Sequence, residues 1–156
     1  MNERIQNISD EMKAFVVFTG QADWPWLRWL KPGFRHCFVL LNDGAHWISV
    51  DPLLNHMEVR VHNAPADFDL PGWLSSRGHR VAAAPVSRLR MKPAPFLPFT
   101  CVETAKRMLG IHDLRVLTPW QLYRRLTAAS CPSTLRGRIR GKRTGGWFNV
   151  QDCAFH

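Results

Sequence analysis

The stretch at residues 34–52, FRHCFVLLNDGAHWISVDP, constrains the fold of this chain more than any other because it reads as a single β-hairpin. The Asp-Gly pair at 43–44 is a strong signal for a two-residue turn, since glycine adopts the positive φ that a type I′ turn requires. Counting outward from that turn predicts that His36 lies directly opposite Asp51. Directly opposed residues share a face of the sheet with Cβ atoms roughly 4.5–5.5 Å apart, which lets an imidazole reach a carboxylate.

The other face of this hairpin is mostly apolar and is predicted to pack against the core. It carries Cys37, Val39, Leu41, His46, Ile48 and Val50. On that pattern Cys37 is a packing residue. A histidine held by a carboxylate through one ring nitrogen keeps the other nitrogen free to act as a base. The hairpin therefore predicts that His36 is a base, and a catalytic site would also require a nucleophile.

Cys101 is the candidate nucleophile. Thr100 and Glu103 form the pattern T-x-x-E around it, which is a capping box and predicts a helix that begins at the cysteine. A thiol in the first helical turn lies at the positive end of the helix dipole, and a neighbouring imidazolium lowers its pKa further. Cys101, His36 and Asp51 thus occupy separate positions that suit nucleophile, base and orienting group.

The composition fits one globular domain with a real core. The chain has 156 residues, 46% of them hydrophobic, with seven Trp and nine Phe. Its formal net charge of +9 favours acidic surroundings such as nucleic acid or an anionic envelope. The four cysteines show neither C-x-x-C nor dense spacing, and the histidines show no paired ligand spacing, so we expect no disulfide scaffold and no metal site. We also expect no cofactor.

The remaining segments predict an α+β chain. Strands are expected at 13–19, 57–62 and about 79–86, with helices at 3–12, 70–76 and 118–128 and a helical turn at 26–30. Residues 87–99 are rich in proline and are expected to form a loop. The charged N-terminus has no apolar region typical of a secretory signal, and no stretch is long enough for a membrane span.

Residues 131–156 form a segment of different composition beyond a single domain at 1–130. Its basic tract carries Arg136, Arg138, Arg140, Lys142 and Arg143 among glycines. Such a tract is predicted to be an extended tail. A tail of this kind is either solvated or bound to phosphate groups, because counterion release rewards basic segments near DNA.

These residues jointly resemble a known group of enzymes. The order GFRHCFVL, W-x-x-x-D-P, FTCVETAKRMLGI and TPWQLYRRL, over about residues 24–126, is similar to that of circularly permuted papain-like thiol hydrolases. That group includes cell-wall peptidases and lecithin:retinol acyltransferase-like proteins, in which the histidine strands precede the cysteine helix. The hairpin is also similar to the His-Asp hairpin of transglutaminase-like domains. More narrowly, the motifs resemble small proteins encoded by tailed phages and prophages.

The resemblance implies a papain-like fold, with an antiparallel sheet of about four or five strands against the Cys101 helix. It implies that Cys101 is the nucleophile, His36 the general base and then acid, and Asp51 the orienting group. The backbone N–H of Cys101 would form part of the oxyanion hole. Papain has a glutamine shortly before its nucleophile, whereas residues 93–100 here contain no side-chain amide. The indole N–H of Trp26 or a backbone amide would take its place.

Two functions follow, from different classes. The first is a cysteine peptidase or amidase that cleaves amide or isopeptide bonds in a peptide or peptidoglycan-like substrate. The second is a non-catalytic phage virion protein that keeps the fold and contacts other virion proteins or DNA through its tail. On the second interpretation Cys101 is simply a small buried side chain, and Asp51 ends a strand before Pro52. Either function places the protein in a phage virion or in the cytoplasm of the bacterial host.

Overall fold

The computed structural model describes residues 12–21, 25–53, 55–85 and 100–130, without the side chains of Trp26 and Ser130. These residues build a five-stranded sheet in the order β4-β3-β2-β1-β5, in which every neighbouring pair is antiparallel. The strands are β1 Lys13–Thr19, β2 His36–Asn42, β3 Trp47–Pro52, β4 Met57–His62 and β5 Arg80–Ala84. The predicted antiparallel sheet is confirmed, and β1 and β4 have the predicted bounds.

Three α-helices and one 3-10 helix accompany the sheet in the described ranges. They are the 3-10 helix Pro25–Trp29, α1 Leu70–Ser76, α2 Cys101–Met108 and α3 Pro119–Ser130. A capping box begins α3 as predicted: the Thr118 hydroxyl accepts the Gln121 N–H, and the Gln121 side-chain oxygen accepts the Thr118 N–H at 3.0 Å. No helix among the described residues is long and apolar enough to cross a membrane.

The turn of the β2–β3 hairpin is centred one residue later than predicted. The Asp43 N–H donates to the His46 carbonyl, so Gly44 and Ala45 are the central residues, and Gly44 adopts φ of 89°. The Asp43 carboxylate accepts the N–H groups of Ala45 and His46 at 2.8 and 2.6 Å. These side-chain hydrogen bonds favour the later turn, because an aspartate before a turn bonds the backbone that follows it.

The shifted turn corrects the predicted pairing of His36 with Asp51. Leu40 lies opposite Ser49, and the same register continued outward sets Asp51 opposite Phe38. His36 is therefore a diagonal neighbour of Asp51 and not its direct partner. Because each partner moves by two residues, every side chain keeps its predicted face. Both residues still lie on one face, within the reach that diagonal pairs allow.

The sheet is packed on both faces. On the first, the α2/α3 face, Val16, Phe18 and Val39 lie in one core cluster with Val102 of α2 and Leu122 of α3. On the second, the α1 face, a smaller cluster consists of Val17, Leu40, Trp47 and Leu70. Burying a large apolar side chain contributes about 1.5–3 kcal/mol, so the larger cluster is what holds α2 and α3 against the sheet.

Several predictions fall outside the described residues. They are the helix at 3–12 except for its last residue, the loop at 87–99, and the tail at 131–156 with its five basic residues. The boundary between a domain at 1–130 and that tail accordingly stays a prediction. The fifth strand was expected at 79–86 and is found at Arg80–Ala84, with residue 86 outside the described part.

Candidate active site

The candidate site lies where three elements begin or end. His36 is the first residue of β2, Asp51 is the next-to-last residue of β3, and Cys101 is the first residue of α2. The His36 Nε2 and the Asp51 Oδ1 are 2.6 Å apart, and their side chains are 20% and 28% exposed. This contact uses Nε2 and leaves Nδ1 for another partner. The pair is thus ordered but still open to solvent.

The start of α2 places the thiol of Cys101 at the edge of the core. Thr100 is the N-cap, and its hydroxyl accepts the Glu103 N–H at 3.2 Å. Val102 and Ala105, on the buried side of the helix, dock it on the sheet, while Cys101 stays partly exposed. The first backbone N–H groups of a helix have no acceptor within the helix, so the first turn of α2 offers potential hydrogen-bond donors near Cys101.

A capping box predicts that the Glu103 side chain bonds to the backbone of the N-cap residue, but here its carboxylate binds two side chains of α2. It accepts hydrogen bonds from Lys106 at 2.9 Å and from Arg107 at 3.0 Å. Lys106 is almost fully buried, and its ammonium also donates to the Val116 carbonyl. The ion pair lies within α2, and the hydrogen bond to Val116 connects α2 to the segment that leads into α3. Both thereby stabilise the helix that carries Cys101.

Cys101 contacts two residues of β2, and the contacts change its acidity. The hydrogen bond with Cys37 lowers the pKa of Cys101 most, burial acts in the opposite direction, and the hydrogen bond and charge of His36 lower it further. The resulting pKa is about 5. Because a free thiol has a pKa near 8.5, Cys101 is a thiolate at neutral pH.

His36 is shifted in the complementary direction. Burial alone would lower the pKa of His36, but hydrogen bonds with Asp51 and Cys101 raise it to about 10. The imidazole is therefore protonated where the thiol is ionised. A thiolate-imidazolium pair exists between about pH 5, where Cys101 takes up a proton, and about pH 10, where His36 loses one.

Cys37 is the residue of this site that sequence reasoning missed. It is fully buried in the larger core cluster, as predicted for a packing residue, and both it and Cys101 are free thiols. Its hydrogen bond with Cys101 and its burial raise its pKa well above the usual range. Cys37 is thus a neutral S–H donor to the Cys101 thiolate. The strand alternation predicted its direction, but not that the thiol of Cys101 would lie against it.

The chain just before His36 is held by an aromatic cluster. The Phe34 ring lies 5.7 Å from Phe18, 4.8 Å from Trp120 and 5.0 Å from Tyr123 between centroids. The following residue, Arg35, donates its backbone N–H to the Thr19 carbonyl at 2.9 Å. These contacts join β1, β2 and α3 immediately beside the site. They fix the position at which His36 enters the sheet.

Polar side chains continue from Asp51 across the same face of β3 and β4. His62 Nε2 lies 2.9 Å from the Ser49 hydroxyl, and Arg60 forms an ion pair with Glu58 at 2.6 Å. Glu58 is directly opposite Asp51. Ser49, Glu58, Arg60 and His62 therefore form a polar strip beside Asp51, and such a strip suits contact with a polar substrate.

The other predicted site residues lie partly or wholly outside the description. The backbone of Trp26 belongs to the 3-10 helix, but its side chain is not described, so its role as an oxyanion donor stays a prediction. The basic residues of the tail lie beyond residue 130. Within the described ranges, no group of three or more His, Cys, Asp or Glu side chains is arranged to hold a metal ion.

Comparisons of this chain with protein-family models, with curated proteins and with solved structures give no match.

Proposed function

We propose that this chain is a cysteine hydrolase that cleaves amide or isopeptide bonds through an acyl-enzyme. The main support for this proposal is that Cys101, at the N-terminus of α2, contacts His36, which in turn contacts Asp51. In this proposal the fold is a circularly permuted papain-like one. The substrate class, a peptide or a peptidoglycan-like amide, and an origin in a phage come from the family resemblance of the sequence.

The first half of the reaction forms the acyl-enzyme. The Cys101 thiolate attacks the carbonyl carbon, and the negative charge that develops on the oxygen is stabilised by backbone N–H groups at the start of α2. As the C–N bond breaks, protonated His36 donates its Nδ1 proton to the leaving amine. Asp51 holds the imidazole through Nε2 and stabilises its positive charge. The products are a thioester on Cys101 and a free amine.

The second half releases the acid. Neutral His36 accepts a proton from water as the water attacks the thioester, and the C–S bond breaks to regenerate the thiolate-imidazolium pair. The hydrogen bond from Cys37 stabilises that thiolate both as the attacking group and as the leaving group. A lower pKa makes the sulfur a better leaving group and a weaker nucleophile, so this contact favours deacylation.

Direct detection of the acyl-enzyme tests the proposal. Purified protein is incubated with a panel of peptide amides, isopeptides and soluble peptidoglycan fragments, quenched in acid, and examined by intact-protein and peptide mass spectrometry. We expect an acyl adduct on Cys101 and release of amine, with both lost in Cys101→Ala. His36→Ala should abolish turnover, whereas the matched variant His46→Ala should not, because His46 lies in the exposed β2–β3 turn.

A dependence of kcat/KM on pH adds a second measurement. The limbs are expected near pH 5 and pH 10, from Cys101 and His36. Failure to acylate across the panel, together with an ordinary pKa at Cys101, would overturn the hydrolase and favour the non-catalytic virion module.

A further inference from the structure

The outer edge of the sheet carries apolar side chains that the described residues leave exposed. β4 is the edge strand beyond β3. Met57, Val59 and Val61 are 44%, 61% and 65% exposed on it. They lie on the α2/α3 face, because Val59 is opposite Val50. The described helices of that face pack mainly over β1, β2, β3 and β5.

This edge also has few of the features that keep sheet edges apart. Proteins protect an exposed edge with charged side chains, lysine above all, or with proline, a bulge or a very short strand. The charges on β4 are Glu58 and Arg60, which have opposite signs and pair with each other. β4 has six residues, MEVRVH, with neither proline nor lysine, and all six pair with β3 in a continuous register. Its outward backbone groups are therefore suited to pair with another strand.

The sequence of β4 is complementary to itself. Residues 57–61, M-E-V-R-V, have apolar side chains at equal distances on either side of Val59, and they have opposite charges at 58 and 60. In an antiparallel pair of two such strands with Val59 opposite Val59, Glu58 of each copy faces Arg60 of the other. Met57 of each copy faces Val61 of the other. Opposite charges and apolar groups in direct cross-strand pairs are both stabilising.

Other registers lose this match. Moving one strand by two residues sets Glu58 against Glu58 or Arg60 against Arg60, and like charges directly opposite destabilise a sheet. Moving it by one residue places apolar side chains beside charged ones. Glu58 and Arg60 already form an ion pair within the strand at 2.6 Å, so pairing would produce an alternating group of four charges.

We propose that β4 is a homodimerisation edge, through which two copies of this chain join their sheets antiparallel about a twofold axis at Val59. Such an interface is isologous, since each copy contributes the same residues and the contact closes on itself. Both β3 and β4 lie between β2, which carries His36, and a second copy at this edge. The dimer does not depend on the proposed hydrolase activity.

The expected dimer is reversible. One short edge strand buries less than the roughly 1,600 Å² of a standard interface, so the dimer should form over micromolar to millimolar concentrations of protein. Sedimentation velocity of the full chain across that range measures the dissociation constant. We expect Glu58→Arg alone, or Arg60→Glu alone, to raise it at least about tenfold, because each replaces two attractive pairs with two repulsive ones.

Charge swaps make the test independent of simple misfolding. The double variant Glu58→Arg/Arg60→Glu restores opposite charges across the axis and should recover the wild-type constant. An equimolar mixture of the two single variants should form a heterodimer, since one copy then carries two arginines and the other two glutamates. Arg80→Glu on β5, the opposite edge of the sheet, is the matched control and should change nothing.

A monomeric wild type at all concentrations would overturn the proposal, as would a dimer that responds equally to the Arg80 control. Single variants that dimerise normally would also refute the register. Far-ultraviolet circular dichroism of each variant shows whether a loss of dimer accompanies a loss of fold. If a single variant is misfolded, heterodimer formation in the equimolar mixture decides whether the two strands pair as proposed.

Discussion

Removing the imidazole of His36 should raise the pKa of the Cys101 thiol while leaving the fold in place. In the wild type the pKa of Cys101 is about 5, through the hydrogen bond from Cys37 and the hydrogen bond and charge of His36. The contact with Cys37 survives in His36→Ala, but the positive charge does not. A nearby opposite charge with its hydrogen bond shifts a pKa by about 1–3 units, so we expect the pKa of Cys101 in the variant to lie between about 6 and 8.

The rate at which Cys101 is alkylated depends on the fraction of the thiol that is ionised, so the shift in pKa changes that rate. At pH 6 a thiol with a pKa of about 5 is ~90% ionised, whereas one with a pKa of about 7 is ~10% ionised. Part of this roughly tenfold difference in thiolate is offset, because a thiolate of higher pKa is the better nucleophile. The midpoint of the pH profile is therefore a more direct measure than the rate at any one pH.

The assay is alkylation of Cys101 by iodoacetamide between pH 4 and pH 9, with each of the four cysteines followed separately by peptide mass spectrometry. The wild-type midpoint is expected near 5 and should be unchanged in His46→Ala, since that imidazole is exposed in a turn. A wild-type midpoint near 8.5, or a midpoint that His36→Ala does not move, would refute the thiolate-imidazolium pair.

Three further predictions concern the surroundings of the site. Cys37→Ala should raise the alkylation midpoint of Cys101, whereas Cys37→Ser should keep it low because a hydroxyl still donates; equal midpoints in the two variants would contradict the role of Cys37 as a donor. Glu103→Ala leaves the buried Lys106 ammonium without its partner and should lower the free energy of unfolding by about 3 kcal/mol in urea titrations. Replacing both residues, Glu103→Leu/Lys106→Met, should recover most of that loss, and equal destabilisation would refute the buried pair. Thr118→Val removes the hydroxyl that caps α3 and should lower the free energy of unfolding by about 1 kcal/mol, while an unchanged urea midpoint would show that the cap contributes nothing.

Local patterns were sufficient for most of the secondary structure. The bounds of β1, β4 and α1 were predictable because alternation, proline and capping residues act over a few positions. The two capping threonines marked the starts of α2 and α3 for the same reason. The hairpin register was not predictable at the same level, because Asp43 could occupy either of two places in the turn. Hydrogen bonds from its carboxylate to the following N–H groups selected one of them.

The error in register did not change which face of the sheet each hairpin residue lies on, because a shift of two residues preserves the alternation of a strand. His36 and Asp51 could therefore be placed on one face from the sequence, although their distance and diagonal relation could not.

What the sequence alone determined is the inventory of the site: a histidine and an aspartate on one face of a hairpin, and a cysteine at the start of a helix. Only the tertiary structure decided that α2 docks against β2, and hence that Cys101 contacts His36 and Cys37. The physical reason is the distance along the chain over which each kind of interaction acts. Turn and capping preferences are set within a few residues, whereas the docking of a helix on a sheet depends on how the side chains of the whole core pack together.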